Sequence, residues 1–448
     1  MKNKLRIGLL LLCLCPVLLW GQNVLSTLEN MHAVVKGETW ESIAADYGVS
    51  LSELQAANPD VKRGKLKKKT LLIIPKATQS SSQEEKTNVS VEENREVQPL
   101  IRTSISNLKV GVLLPFSDKN MVEFYRGFLM AADSVRQSGV NLVIHAWDCG
   151  STRPQIESLL PQLEGLDVII GPVSATQIPT VAELCKEQGT RLVLPFSSEL
   201  TLQDYPLVYH ATAPKAVVYD AAVTKLARYY ADQNFVVVRG GNPDDSGKML
   251  TEQLTKSLAQ RNGTLRVLAL EGDDFAYESA FNQFRDNMIV LDDCSIRSLN
   301  ILLARLKDFR RGHSQYRLSL VAYPEWQSET NRLLDDFFAF DTYMFTPYYY
   351  NVLSERTKRF QLTYEKLFRV PIAQVSPRFA AQGFDLGLYF FGGISSLGDT
   401  FEQMQGGLSQ MPYQNWYQFE RGASGMNFSN RFVQFIHFTV DNKIELIQ

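Results

Sequence analysis

The chain has 448 residues, 45% of them hydrophobic, which is too long for one compact core and rich enough in apolar side chains to fill two or three. Its 46 basic residues are balanced by 48 acidic ones, so no global nucleic-acid signal is present and no nucleic-acid partner is expected. Five cysteines without a CxxC pair exclude a disulfide-built scaffold.

Lys2, Lys4 and Arg6 precede an apolar run from Ile7 to Trp20, followed by Gly21 and Gln22. That is the layout of a secretory signal peptide spanning residues 1–21, and the run is shorter than the roughly 18 residues of a membrane span. Cys13 and Cys15 raise a lipoprotein reading, but Leu12 and Leu14 stand where such a signal needs small residues, so export to the periplasm or cell envelope without a lipid anchor is ranked first. Removal of the signal leaves Cys149, Cys185 and Cys294, enough for at most one disulfide.

Residues 32–76 form a small unit. A strand pattern from His32 to Lys36 ends at Gly37; Thr39 N-caps a helix carrying Trp40, Ile43, Ala44 and Tyr47; Gly48 stops it. Ser50 caps a second helix with Leu51, Leu54 and Ala57 inward, ending at Asn58-Pro59, and Leu71 to Ile74 makes a closing strand. Eight basic and five acidic residues give this unit a charge of +3, with the basic ones concentrated between Lys62 and Lys69; a solvated face and an attraction to anionic surfaces both account for that run. Residues 77–106 are polar and aperiodic and read as a flexible linker.

From Leu108 onward, apolar runs alternate with helical periodicity. Strands are expected at Leu108–Pro115, Asn141–Trp147, Val168–Ile170 and Leu192–Leu194, with helices at Phe124–Val135 and after Ser174. After a break at Thr212-Ala213-Pro214 the series restarts: strands Asn234–Arg239, Leu265–Leu270, Met288–Leu291 and Leu318–Ala322 alternate with helices ending near Ala231, at Ser246–Gln260, Ala276–Phe284 and Ser295–Leu306. Val168-Ile169-Ile170 is apolar without alternation, as in a parallel strand covered on both faces, and open parallel sheets bind ligands outside their strand carboxyl ends. Ser174, Ser197 and Ser198 stand at such ends, where serine also serves as a plain helix cap.

The five histidines are scattered, and HExxH, GxSxG, GxxxxGK[ST] and GxGxxG are all absent. No catalytic residue, cofactor or metal site is expected, and the chain reads as a non-enzyme.

Two resemblances sharpen this reading. Gly37-Glu38-Thr39-Trp40, Ser42-Ile43-Ala44, Tyr47-Gly48-Val49, Asn58-Pro59 and Ile74-Pro75 resemble the LysM domain, with Glu38 for the usual Asp, Trp40 for Leu and Lys67-Lys68-Lys69 in place of a V-G-Q-like turn. The resemblance implies a βααβ fold that binds N-acetylglucosamine-containing glycan, chiefly peptidoglycan, through Gly37, Glu38 and Thr39 with Asn58, Pro59, Asp60 and Val61 opposite. Residues 108–448 resemble the type I periplasmic binding proteins, particularly the branched-chain amino-acid receptor group. The matching stretches are Val110-Gly111-Val112-Leu113-Leu114-Pro115, Ile170-Gly171-Pro172 with Ser174, Pro195-Phe196-Ser197-Ser198, Pro324-Glu325-Trp326, Pro347-Tyr348-Tyr349 and Gly383-Phe384-Asp385.

That fold is α/β, with two lobes of parallel sheet carrying helices on both faces, and it implies chain crossings near 212–214, 345–348 and 410–416. Lobe 1 would span about 107–213 and 346–411, and lobe 2 about 214–345 and 412–448. It implies a small ligand held in the cleft by Ser117, Ser174, Ser197 and Ser198, with Phe116, Trp326, Tyr348 and Tyr349 lining the cleft or packing between lobes. The family often has an Asp after the first crossing to answer a ligand amine; Lys215 and Ala216 stand there instead. The expected function is binding of peptidoglycan and of an amino acid, peptide or wall fragment. The alternative is docking to a wall-synthesis or wall-remodelling protein.

Overall fold

The computed structural model describes residues 31–33, 39–46, 50–56, 58, 61, 71–73, 105, 107–198, 205–240, 243–422 and 427–447. The signal segment 1–21, the glycan-binding positions Gly37, Glu38, Pro59 and Asp60, and the linker apart from Ile105 lie outside the described residues. The chain divides into two compact units, Met1–Ile101 and Arg102–Gln448. Among the described residues no helix is long and apolar enough to cross a membrane.

In the small unit β1 (Met31–Ala33) pairs antiparallel with β2 (Leu71–Ile73), and α1 (Trp40–Asp46) and α2 (Leu51–Ala56) lie between them in sequence. Trp40, Ile43, Leu54 and Leu72 make the core, with Leu51 and Val61 against it. The expected order of strand, helix, helix, strand is the observed one.

The large unit holds two seven-stranded sheets. The first is built from β3 (Asn107–Leu114), β4 (Asn141–Asp148), β5 (Val168–Ile170), β6 (Arg191–Leu194), β7 (Val208–His210), β13 (Phe419–Arg421) and β14 (Phe428–Asn430). Its order is β13-β14-β7-β6-β5-β3-β4, parallel except for β13. Alternate residues of its strands feed two cores: Val110, Val112, Val168, Ile170 and Val193 face one side, while Leu113, Ile169, Leu192 and Leu194 face the other. Burial on both faces explains why these strands carry apolar runs without alternation.

The second sheet contains β8 (Asn234–Arg239), β9 (Thr264–Ala269), β10 (Asn287–Leu291), β11 (Leu318–Ala322), β12 (Thr342–Thr346), β15 (Gln434–Phe438) and β16 (Ile444–Ile447). Its order is β16-β15-β12-β11-β10-β8-β9, parallel except for β15, which runs antiparallel to both of its neighbours, β12 and β16. Helices α3 (Lys119–Gln137), α4 (Arg153–Glu157) and α5 (Ile178–Gln188) serve the first sheet. Helices α6 (Lys215–Tyr229), α7 (Asp245–Ala259), α8 (Asp274–Ala280), α9 (Ile296–Gly312) and α10 (Thr330–Ala339) serve the second. Helix α8 stops at Ala280, short of the expected Phe284, because the Asn282-to-Asn287 side-chain bonds hold that stretch as a turn into β10.

The chain passes between the lobes three times. The first passage follows β7 at residues 211–214. The second follows β12 and leads to α11 (Glu355–Phe368) and α12 (Phe379–Leu397), which pack on the first lobe. The third runs from β14 to β15, at residues 431–433, later than the expected 410–416. The cause is Phe428, which stacks on Tyr209 at 4.6 Å and draws β14 beside β7 before the chain departs. Residues 412–422 and 427–430 therefore belong with lobe 1. Ile105, expected in the linker, donates its N–H to Ser395 O at 3.0 Å and joins the large unit.

Helix α12 is buried on almost every side, which a helix can sustain only inside a lobe. It meets α3 backbone to backbone: a Cβ on Gly127 would stand 1.8 Å from Ala380 O, and one on Gly383 2.0 Å from Phe124 O. Gly383→Ala should therefore destabilise the large unit by about 2 kcal/mol through overpacking, despite a helix-propensity gain of roughly 1 kcal/mol. Gly392→Ala, with open space around it, should be neutral or stabilising. Denaturant titration of the two variants checks this, and equal effects would contradict the close approach.

Candidate functional site

In each sheet the order of the parallel strands reverses at one point. In the first, β3 runs to β4 on one side and to β5 on the other; in the second, β8 lies between β9 and β10. Crevices form outside the carboxyl ends at such switch points. All three passages also leave or enter at these ends, since Gln434 at the start of β15 pairs with Thr346 at the end of β12. The two carboxyl edges therefore border one cleft.

On the first lobe that edge carries most of the expected residues. Ser117 follows β3 and is exposed; Phe116 beside it is half-buried and meets Tyr125 edge-on at 5.2 Å. Ser174 follows β5, and its hydroxyl donates to Ser151 O at 2.9 Å, tying the loop after β4 to the loop after β5. Ser197 and Ser198, half-buried, follow β6. Ser197 O accepts the Thr212 N–H at 3.1 Å, which anchors the first passage to this edge.

Ser197 Oγ lies 3.0 Å from Nδ1 of His210, a ring only 2% exposed. Nε2 of His210 is buried without a hydrogen-bond partner. A proton on Nε2 would strand a buried donor, which is rarer than a buried acceptor left bare, so the proton belongs on Nδ1 and is donated to Ser197 Oγ. The Ser197 O–H then points away from the ring as a free donor. Burial lowers the His210 pKa to about 4, keeping it neutral.

Of the expected aromatic residues, Trp326 lies elsewhere, and Tyr348 stands half-buried between the lobes. Trp326 is fully buried in the second-lobe core, edge-on to Tyr323 and donating its indole N–H to Cys294 O at 2.7 Å, so it is not available to stack a ligand. Its position just after a strand marked it as a liner, but the short helix from Pro324 to Glu329 turns it inward. Tyr348 lies in the second passage: its carbonyl accepts Gln327 Nε2 at 2.6 Å and its hydroxyl meets Ser376. A small pocket of about 110 Å³ flanks this passage, lined by Gln327, Asn331, Tyr349, Ser376, Arg378 and Gln414.

The second-lobe edge supplies a cluster that motif spacing did not assemble. Lys215 opens α6, Ser246 lies in the first turn of α7 and Glu325 follows β11. Lys215 Nζ donates to Ser246 Oγ at 2.6 Å, and Ser246 Oγ donates to Glu325 Oε1 at 2.8 Å. Lys215 Nζ is 3.8 Å from the same oxygen, and the Tyr219 hydroxyl donates to both Glu325 oxygens at 3.2 and 3.3 Å. The signal available in sequence was the Pro324-Glu325 pair directly after a buried strand.

In the small unit, Asn58 is buried and donates its side-chain amide to Leu54 O at 2.8 Å, and Asn58 O accepts the Val61 N–H at 3.2 Å. Asn58 thus shapes the turn after α2. Thr39, exposed, opens α1. Among the described residues no group of three or more His, Cys, Asp or Glu could hold a metal ion, and Cys149, Cys185 and Cys294 are free thiols.

Residues 32–75 match the family model of the LysM domain. The large unit is similar to a branched-chain amino acid ABC transporter protein from Rhodospirillum rubrum, at 14% identity and a TM-score of 0.52, covering 76% of this chain and all (100%) of that one. It is also similar to an ABC transporter substrate-binding protein from Desulfitobacterium hafniense in complex with Leu, at 15% identity and a TM-score of 0.44 over 76% and 100% of the two chains. No curated protein matches the sequence.

Depression of the His210 pKa means that the unfolded chain takes up a proton between about pH 6.5 and 4 that the folded chain refuses, so stability falls as pH drops through that window. Urea denaturation at pH 7 and pH 4.5 should show the wild type losing roughly 2 kcal/mol more than His210→Gln. Equal losses would mean that His210 is protonated in the folded state. The chain carries an N-terminal LysM domain followed by a two-lobed α/β unit with the type I periplasmic-binding-protein fold.

Proposed function

We propose that the protein works in the cell envelope outside the cytoplasm, holding peptidoglycan through residues 32–75 and taking a small ligand between the lobes of the large unit. The LysM match supports the first half, since such domains recognise N-acetylglucosamine-containing glycan by backbone amides and carbonyls with little demand on side-chain identity. The observation that carries the second half is the pairing of two switch-point edges around one cleft, each lined with polar side chains: Ser117, Ser174, Ser197 and Ser198 on one, Lys215, Ser246 and Glu325 on the other. The described fold to which the R. rubrum protein is similar supports a binding role for such a cleft. The ligand class is an amino acid, a short peptide or a wall fragment. The polar edges supply hydrogen bonds for orientation, and closure about the three passages supplies desolvation.

The reading separates into two measurements. Full-length protein should co-sediment with insoluble peptidoglycan, and a protein lacking residues 32–75 should stay in the supernatant. Small ligands that bind only the folded state should raise the melting temperature with concentration, by an amount equivalent to about 2.7 kcal/mol at a hundredfold excess over Kd. Silence across amino-acid, peptide and muropeptide libraries, together with retention of a wall-synthesis or wall-remodelling protein on the large unit, would replace the ligand reading by a docking one.

A further inference from the structure

The carboxylates of the second-lobe cluster at the cleft already have their charge matched from within the protein. Ser246 has one proton, and it goes to Glu325 Oε1; the Tyr219 proton also goes to the Glu325 carboxylate, whose charge is matched by Lys215. Asp244, the other carboxylate acting on Lys215, is occupied as well. One oxygen takes the Gly247 N–H at 2.7 Å and the other the Cys294 N–H at 2.8 Å. Burial works against ionisation of Asp244, but bonds from Cys294 and Gly247 and the nearby Lys215 hold its pKa below the usual value. Its charge caps the N-terminus of α7, where the helix dipole offsets it.

What the cluster still offers is cationic. The Lys215 side chain is 50% exposed against 37% for Glu325, and only one of the three ammonium protons goes to Ser246. The ammonium also sits 5.6 Å from the centre of the Tyr219 ring, which holds it at this edge. A ligand ammonium approaching Glu325 would come up beside the Lys215 ammonium, 3.8 Å from Oε1, setting two like charges side by side over one carboxylate. Across the cleft, the His210 proton on Ser197 leaves that hydroxyl as a donor too.

We propose that Lys215 is a built-in counter-cation that closes Glu325 to a ligand amine, so that the cleft selects ligands presenting oxygen acceptors and no free amino group. The class comprises N-acylated amino acids and peptides and 2-oxo acids, in preference to the corresponding free amino acids. The inference rests on the proposal that the cleft takes a small ligand.

The test uses matched pairs that differ only at the amine: leucine and N-acetylleucine, glutamate and 2-oxoglutarate, D-alanyl-D-alanine and its N-acetyl derivative. Melting temperature and calorimetric affinity are measured on the full-length wild type, on Lys215→Met, which keeps the stem and removes the charge, and on Lys215→Arg. In at least one pair the wild type should bind the amine-free member tenfold or more tightly than its partner, Lys215→Arg should keep that preference, and Lys215→Met should reduce or invert it. Free amines binding the wild type as tightly as their amine-free partners would overturn the role of Lys215 and leave the cleft reading intact, as would an unchanged ratio in Lys215→Met. Silence of every pair in all three proteins would overturn both. Should Lys215→Met fail to fold, the wild-type ratio alone still decides.

Discussion

The carboxylate of Asp385, buried in the middle of α12, accepts three consecutive backbone N–H groups, from Tyr413, Gln414 and Asn415, each at 2.8 Å. These contacts hold Gln414 where it can join two passages: its carbonyl takes the Tyr349 N–H of the second at 3.1 Å and the Gln434 side-chain amide just beyond the third at 2.7 Å. Its side chain accepts the N–H of Arg378, where α12 begins. Asn430 completes the stitching by donating to Ala211 O, at the first passage, at 3.1 Å. Burial pushes the Asp385 carboxyl up to about 7 against those three amides, so the anchor of the hinge titrates near neutrality. A hinge made of side-chain amides and a carboxylate fixes where the strands cross, and its side-chain bonds from Gln434 and Gln327 join the lobes alongside the three backbone passages.

That arrangement explains why the late chain belongs to the first lobe. Helix α12 can lie against α3 because Gly127 and Gly383 remove the side chains that would keep the helices apart, and its burial carries Asp385 inside. The carboxylate then captures residues 413–415, and β14 follows onto β7 before the last passage. Packing, polar capture and strand pairing thus support one another, and the geometry of both cleft edges depends on them.

The parallel strands were legible because burial on both faces leaves an uninterrupted apolar run, as in Val168-Ile169-Ile170, and the small unit was legible because its turns carry Gly, Asn and Pro at fixed spacing. Strands β13 and β14 were not. Each is three residues long, and their polar members Glu420, Arg421, Ser429 and Asn430 give no apolar period. Helix α11 escaped for a related reason: two of its four buried residues are Thr357 and Thr363, so its inward stripe does not read as apolar. At the site, the serines of the first lobe were visible as small polar residues after strands. Trp326 was misplaced because a sequence position next to a strand end does not say which way a short helix turns its side chain. The Lys215, Ser246 and Glu325 cluster draws on three segments separated by 31 and 79 residues, and only the fold brings them together.

Hydrogen–deuterium exchange of the full-length protein, with and without a muramidase digest of peptidoglycan, tests the two-lobed cleft most directly. Added protection should appear on both edges together, in the loops that carry Ser117, Ser174 and Ser197 and in the segments around Lys215, Ser246 and Glu325. Protection confined to residues 32–75, with both lobes exchanging as before, would contradict the account.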